Sequence, residues 1–325
     1  MTKLWYHWAG MRDAQNFWDR EIQAPQHQSW LEEPVLHEYA NSLIGDGKAV
    51  WPIDWFAGWL QGRRFRRALS IGCGTGALER DLVVHELVDT IDAFDASVAS
   101  LLIAQRLSVS SGMVQRIRYF AADFNEPTLP RRAYDLVVFH QSAHHVAKLE
   151  KLFRAILRAL HPKGLVYMDE YVGPSRFEWT DDMLAEHRRV YADLPVGVRT
   201  GTTVPFPIQE DDPSEAFRSS SIEPQLSVGF RTLQRRPYGG TLLSVLCPLL
   251  KRDGWSPDVV HLLIDQERAL LRSGSQSYYA LIVAQPRRGL IKFYADWHYY
   301  LVPKLKRVWR IVQARWRETW PRANR

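Results

Sequence analysis

Between Arg67 and Tyr171, five short apolar runs, "RALSIG", "TIDAFD", "IRYFAAD", "YDLVVFH" and "LVYMDEY", alternate with segments of helical spacing. "ALERDLVVHEL" follows the first run, "SVASLLIAQRLS" the second and "VAKLEKLFRAILRAL" the fourth, with the turn "HPKG" before the fifth. Short runs bounded by turn residues read as strands, and strands alternating with helices build a parallel sheet covered on both faces. Ligands of such sheets bind at the carboxyl ends of the strands, near the point where strand order reverses. The chemistry of this chain is therefore sought at the ends of these runs.

The first strand end carries "SIGCGTG", with Gly72, Gly74 and Gly76 at alternate positions. Glycine is needed where the backbone turns tightly or lets a ligand come close. Between a strand and its helix, such a turn offers backbone amides and a helix N-terminus to a nucleotide-like ligand. Dinucleotides and S-adenosylmethionine compete for it. The dinucleotide fingerprint has its third glycine one position later, where Ala77 stands, so the spacing favours S-adenosylmethionine. Asp95 closes the second strand 19 residues after Gly76, where a carboxylate accepts from both ribose hydroxyls. Asp123 ends the third strand in "AADF", placed to accept from an adenine amino group, with Phe124 beside the ring. Either acid alone also reads as a solvated strand end. Together, at strand ends matching the glycines, they read as one site.

In order and spacing, "LSIGCGTG", "IDAFDAS", "YFAADF", "YDLVVFHQSAHHV" and "LRALHPKGLVYMDEY" resemble the class I S-adenosylmethionine-dependent methyltransferases. The resemblance covers Leu69 to Tyr171. It implies a Rossmann-like, seven-stranded α/β sheet, mostly parallel with the last strand antiparallel. It also implies cofactor contacts at Gly72, Gly74, Gly76, Asp95, Asp123, Phe124 and His140. Further on, "DEYVGPSRFEWTDD" and "DPSEAFRSSSI" with "RRPYGG" are similar to a bacterial branch linked to glycan, lipid or secondary-metabolite modification. That looser likeness bears only on the substrate.

Residues 1–67 read as an N-terminal helical extension rich in tryptophan. "RDAQNFWDREI" and "WLEEPVLHEYANSLI" have helical apolar spacing, "GDG" breaks the second, and "VWPIDWFAGWL" carries three tryptophans in nine residues. Such aromatics read as core packing or as a lid over a pocket. The methyltransferase domain is expected over 68–286, with a mainly helical insertion at 173–228 and a helical excursion at 241–274. "FRTLQRRPY" and "SYYALIVAQP" read as its last two strands.

Methyl transfer is an in-line displacement at a sulfonium methyl, and alignment supplies much of the catalysis. A hydroxyl acceptor must also lose its proton, to a histidine or carboxylate near the fourth or fifth strand end. The catalytic candidates are His144 and His145, after the fourth strand, and Glu170, at the end of the fifth. Each has a structural reading too: the histidines as packing or helix-capping residues, Glu170 as holder of the loop carrying Gly173 and Pro174. Asp169 reads equally as a metal ligand, but no cluster shows metal-ligand spacing, and no metal is expected.

Two cysteines, Cys73 and Cys247, cannot make a disulfide framework, which fits a reducing compartment. "MTKLWYHWAG" lacks the apolar core of a signal peptide, and the stretch Thr241 to Leu250 is shorter than the roughly 20 residues of a spanning helix. A cytoplasmic location is expected, with the inner face of the membrane as the surface the chain would meet. The net charge of +6 is uneven: residues 287–325 hold eleven lysines and arginines against Asp296 and Glu318, leaving the remainder mildly acidic. In that tail Leu305, Trp309, Val312, Trp316 and Trp320 form one apolar stripe, beside basic residues such as Lys304, Arg307 and Arg310. A basic amphipathic helix over 303–320 suits an anionic membrane surface, or docking on the body or a second subunit. An acidic body without a basic-aromatic groove speaks against nucleic acid.

These features point to methyl transfer to a small-molecule, glycan or lipid-linked acceptor, at a hydroxyl oxygen. Two other readings stay open: a non-catalytic S-adenosylmethionine-binding protein that acts as an assembly partner, and a nicotinamide-dependent oxidoreductase.

Overall fold

The computed structural model describes residues 11–22, 29–251 and 255–287. The basic stripe expected over 303–320 lies outside the described residues. Three helices come first, α1 (Met11–Glu21), α2 (Pro34–Ile44) and α3 (Pro52–Leu60). Pro34 and Pro52 open α2 and α3, where the missing N–H has no intrahelical partner to lose. The alternating region follows as β1 (Phe65–Ile71), α4 (Ala77–Val84), β2 (Val88–Asp95), α5 (Val98–Ser110) and β3 (Ile117–Ala121). It continues as β4 (Tyr134–His140), α6 (Leu149–Ala159) and β5 (Leu160–Tyr171). Then come α7 (Asp181–Asp193), α8 (Ile222–Gly229), β6 (Phe230–Pro237), the short α9 (Leu243–Leu246), α10 (Pro257–Arg272) and β7 (Tyr279–Pro286).

The seven strands form one sheet in the order β3-β2-β1-β4-β5-β7-β6. β1 to β5 pair in parallel, and β7 runs antiparallel to both β5 and β6. This is the Rossmann-like α/β sheet that the sequence predicts. Strand order reverses between β1 and β4, so the glycine turn after β1 lies at the switch point.

Successive strand residues point to opposite faces, and the core divides accordingly. Ala68, Leu136, Val138, Leu165 and Tyr167 join one cluster with residues of α2, α3 and α10. Leu69, Val137, Phe139, Val166 and Met168 join the other with α6 and α8. α6 buries Leu149, Leu152, Phe153, Ile156 and Leu157 along one stripe. Each such side chain contributes roughly 1.5–3 kcal/mol of burial. Asp92 is buried within β2 but not alone: Arg67 and Arg118 both donate to it, and Tyr134 donates at 2.9 Å. A buried charge paired this way avoids the desolvation cost of an isolated one.

Three boundaries differ from those read in the sequence. The helix expected from Val146 starts at Leu149, because Asn125 Oδ1 accepts the amides of Ala147 and Lys148, both at 2.9 Å. β5 starts at Leu160 and contains "HPKG", because Tyr134 pairs with Leu160 before a register shift. The insertion expected to be mainly helical from 173 has its first α-helix only from Asp181, where the Thr180 hydroxyl accepts the Met183 amide and caps it. No helix among the described residues is long and apolar enough to cross a membrane.

Candidate active site

The turn after β1 runs through Gly72, Gly74 and Gly76 with φ of +73°, +51° and +76°. A Cβ on Gly72 would stand 2.3 Å from Cβ of Ser142, so the ends of β1 and β4 meet this closely only with glycine there. Ser142 closes the contact by donating to the Ile71 carbonyl at 2.6 Å. Asp95, at the end of β2, organises the same turn: Oδ2 accepts the Gly74 amide and Oδ1 the Ser97 amide, each at 2.8 Å. Burial holds the Asp95 carboxyl above its ordinary pKa, although the Ser97 and Gly74 amides pull it down.

Asp123 follows β3 and accepts from the Asn125 amide at 2.8 Å and its side-chain nitrogen at 3.2 Å. His140 ends β4 with Nδ1 3.2 Å from Asp169 Oδ2, while Tyr238 donates to the other oxygen of Asp169. Burial lowers the His140 pKa, but the hydrogen bond and charge of Asp169 outweigh it and leave it raised. Gly72, Gly74, Asp95, Asp123, Phe124 and His140 all line one cavity of about 340 Å³. Gly76 does not line it. It precedes the first residue of α4, and a Cβ there would meet the Tyr119 hydroxyl at 2.5 Å, so this glycine serves packing behind the turn.

A second cavity, of about 810 Å³, adjoins the first and shares Trp18, Gln141 and His145 with it. His144 lines only the second and is buried, with Nδ1 on Glu170 and Nε2 3.5 Å from Glu215 Oε2. Burial lowers its pKa, but Glu215 and Glu170 together lift it to about 10. His145 places Nδ1 3.1 Å from the Ser214 hydroxyl and Nε2 3.7 Å from Glu215 Oε2. Burial, and then the charge of His144, hold His145 below its ordinary value. Burial opposes ionisation of Glu215, yet the His144 charge brings its carboxyl down to about 2.

Glu170 lines neither cavity. It is fully buried, and Oε2 accepts the amides of Ser142 and Ala143 at 2.9 and 2.7 Å. Its other oxygen accepts the Tyr171 amide at 3.0 Å and meets His144. Every direction of this carboxylate is spent on the chain, which removes it from direct contact with an acceptor. Nor does it hold the Gly173 loop, as its structural reading had it: it fixes the single 3-10 turn Ala143–His145.

Residues 69–168 match the protein family described as a methyltransferase domain. The chain carries a class I S-adenosylmethionine-dependent methyltransferase domain. The chain is 22% identical over 157 residues to the sterol 24-C-methyltransferase erg6 of Aspergillus fumigatus, a match covering 48% of this chain and 40% of that protein. To the sterol 24-C-methyltransferase ERG6B of Gibberella zeae it is 24% identical over 135 residues, or 40% of this chain and 33% of that one. The match thus spans less than half the length of either relative. In structure, the chain is similar to geranyl diphosphate C-methyltransferase from Streptomyces coelicolor A3(2), solved with Mg2+, geranyl diphosphate and S-adenosyl-L-homocysteine. The TM-score is 0.51 at 13% identity, covering 86% of this chain and 98% of that one. That likeness concerns the fold.

The two cavities also contain residues that sequence spacing does not reveal. Glu79, in the first turn of α4, is buried at the first cavity; one oxygen accepts the Ser70 hydroxyl and the other has no hydrogen-bond partner among the described residues. Burial raises its pKa against that hydrogen bond. Trp18 of α1 and Ser214 of the segment after α7 wall the same cavity. No metal cluster is visible in the sequence, yet His144, His145 and Glu215 bring donor atoms within 4.8 Å of one another, a group able to hold a metal ion. Glu215 arrives from a distant, turn-rich segment, and only the fold sets it beside the histidines. Asp169, the one acid read as a possible ligand, is tied instead to Tyr238 and His140.

Proposed function

We propose that this domain transfers a methyl group from S-adenosylmethionine to a hydroxyl oxygen of a small-molecule, glycan or lipid-linked acceptor. The observation that carries the reading is the meeting of the two cavities at Trp18, Gln141 and His145. The smaller one takes the cofactor. Asp95 keeps lone pairs for the ribose hydroxyls beyond those on Gly74 and Ser97. Asp123 and Phe124 take the adenine, and the turn at Gly72 and Gly74 lets the backbone approach the ligand. The unpartnered oxygen of Glu79 supplies counter-charge to the cofactor's ammonium group. His140 lines the same cavity.

The acceptor lies in the larger cavity, whose walls include Phe206, Val245, Pro248 and Leu249 and so suit a partly apolar molecule. His145, held neutral and lining both cavities, accepts the hydroxyl proton. The new O–CH3 bond forms as the S–CH3 bond breaks, and the bonding pair returns to sulfur as S-adenosylhomocysteine leaves. His144 positions its neighbour through Glu170 and Glu215. α1 and the segment around Ser214 together form a lid that keeps water from the sulfonium.

Incubation of the full chain with methyl-labelled S-adenosylmethionine and acceptor candidates from lysate tests the reading. Transfer of label to a hydroxyl compound supports it. S-adenosylhomocysteine binding without transfer points to a non-catalytic assembly partner, and dinucleotide binding without S-adenosylhomocysteine binding to an oxidoreductase. Acceptors linked to lipid would fit a tail that seats the chain on the inner face of the membrane, which flotation with anionic liposomes checks.

A further inference from the structure

We propose that His144, His145 and Glu215 bind one divalent transition-metal ion at the boundary of the two cavities. His144 Nε2 and His145 Nε2 stand 3.5 and 3.7 Å from Glu215 Oε2. Bonds of about 2.0–2.2 Å to a tetrahedral ion put neighbouring donors about 3.3–3.6 Å apart. Both distances to Glu215 are close to that spacing, and all three donor atoms lie within 4.8 Å of one another, so a shift of the side chains lets them share an ion.

Four further features fit a ligand set. Each imidazole is held through Nδ1, that of His144 by Glu170 and that of His145 by Ser214 at 3.1 Å, which leaves both Nε2 atoms turned to Glu215. Oxygen partners on the far ring nitrogen are what fix the orientation of metal-ligating histidines. Asp212 is fully buried, and its Oδ2, 3.6 Å from His145 Nδ1, has no hydrogen-bond partner among the described residues. Its Oδ1 is occupied by the amide and hydroxyl of Ser214, at 2.8 and 2.6 Å.

Charge also fits. Glu170, Asp212 and Glu215 surround the pair, while the neighbouring Arg176 spends donors on the Asp212 and Gln209 carbonyls. An ion displaces the proton that Glu215 and Glu170 hold on His144; the three ionised acids and the Arg176 charge then leave two negative charges in excess, the charge that one divalent ion neutralises. Lastly, all three donors line the larger cavity, so a fourth position stays open to a ligand there. Two imidazoles and one carboxylate select zinc, iron(II), cobalt or nickel over magnesium and calcium.

The consequence for chemistry rests on the proposed methyl transfer. An acceptor hydroxyl at the open position binds the ion through oxygen and becomes more acidic. Its proton passes to water, the oxygen attacks the sulfonium methyl, and the S–CH3 pair returns to sulfur. With the ion in place His145 is a ligand, and the ion assumes the activation otherwise assigned to that imidazole.

Cobalt(II) titration of the full chain, first stripped with chelator, tests the site by visible absorption. One equivalent per chain with ligand-field bands, displaced by zinc, is expected. Glu215→Gln and Asp212→Asn should each weaken binding by at least about tenfold while circular dichroism shows an intact fold. No saturable cobalt binding, or equal binding in wild type and both folded variants, would overturn the site. S-adenosylhomocysteine affinity is measured alongside. S-adenosylhomocysteine binding without cobalt binding overturns only the metal site, and the converse overturns only the methyl-transfer reading.

Discussion

Trp18 stands edge-on to His145, with ring centroids 5.3 Å apart and planes at 86°. The contact ties α1 to the turn after β4 exactly where both cavities meet, and a second tie secures the helix. Asp19 accepts from the Ser97 hydroxyl at 2.6 Å and the Ala99 amide at 3.0 Å, at the start of α5. Asp95 accepts the Ser97 amide, so the wall of the smaller cavity and the helix α1 that packs beside it meet at one residue.

Replacing Trp18 by alanine should therefore loosen the cover without unfolding the sheet. An aromatic pair is worth roughly 0.5–1.5 kcal/mol beyond its burial, so S-adenosylhomocysteine affinity should fall by about 2–10-fold. Limited trypsin digestion in the presence of S-adenosylhomocysteine should cut near Arg20 faster in the variant. Equal cleavage in both proteins would mean that α1 is not part of the cover.

The glycines of the turn should separate by function. Gly72→Ala puts a methyl group against Ser142 and forces a positive φ on alanine, so it should lower thermal stability and abolish cofactor binding together. A Cβ on Gly74 meets no atom of the described residues, so only its φ of +51° strains alanine there, and that variant should lose less stability than Gly72→Ala while still losing affinity. Unfolding curves paired with calorimetry check both. Loss of affinity in neither variant would contradict the site.

Glu170→Gln should act on the fold of the 143–145 turn. An amide in that place turns one acceptor into a donor that faces backbone N–H groups already in position. Leaving a buried donor unsatisfied costs about 1–3 kcal/mol, visible as a lower denaturation midpoint. Turnover lost without any loss of stability would restore Glu170 as a base.

The His140–Asp169 contact gives a pH dependence of known sign. The pKa of His140 is raised in the fold from the ordinary value of 6.5, so folding favours the protonated imidazole. Its stabilising contribution is complete below that ordinary value and is lost as pH rises through the folded value. The stability difference between wild type and His140→Gln should thus be largest below the ordinary histidine value and shrink as pH rises above it. A difference that grows with pH would contradict the assignment.

The alternating half of the fold was legible because short-range pattern decides it. Runs such as "YDLVVFH" leave no other element open, and the glycines and acids sit at strand ends that sequence alone can number. Glu170 shows the limit. Its place at a strand end suggested chemistry, but whether a carboxylate faces a cavity or three backbone amides depends on the return of the chain after β4. Glu215, Asp212 and Ser214 were hidden for the same reason, since a turn-rich segment has no periodicity to fix where it lands. Glu79 sits in "ALERDLV", which reads as a solvated helix start until packing buries it against Ser70.

The central claim is that the cavity at Gly72, Asp95 and Asp123 takes S-adenosylmethionine. Calorimetric titration of the full chain with S-adenosylhomocysteine, in wild type and Asp95→Asn, tests it most directly. The account predicts saturable binding at one site per chain, weakened roughly 10–150-fold in the variant as a charged acceptor worth about 1.5–3 kcal/mol is lost from the ribose. Absence of heat with S-adenosylhomocysteine, or identical affinity in the folded variant, would contradict it.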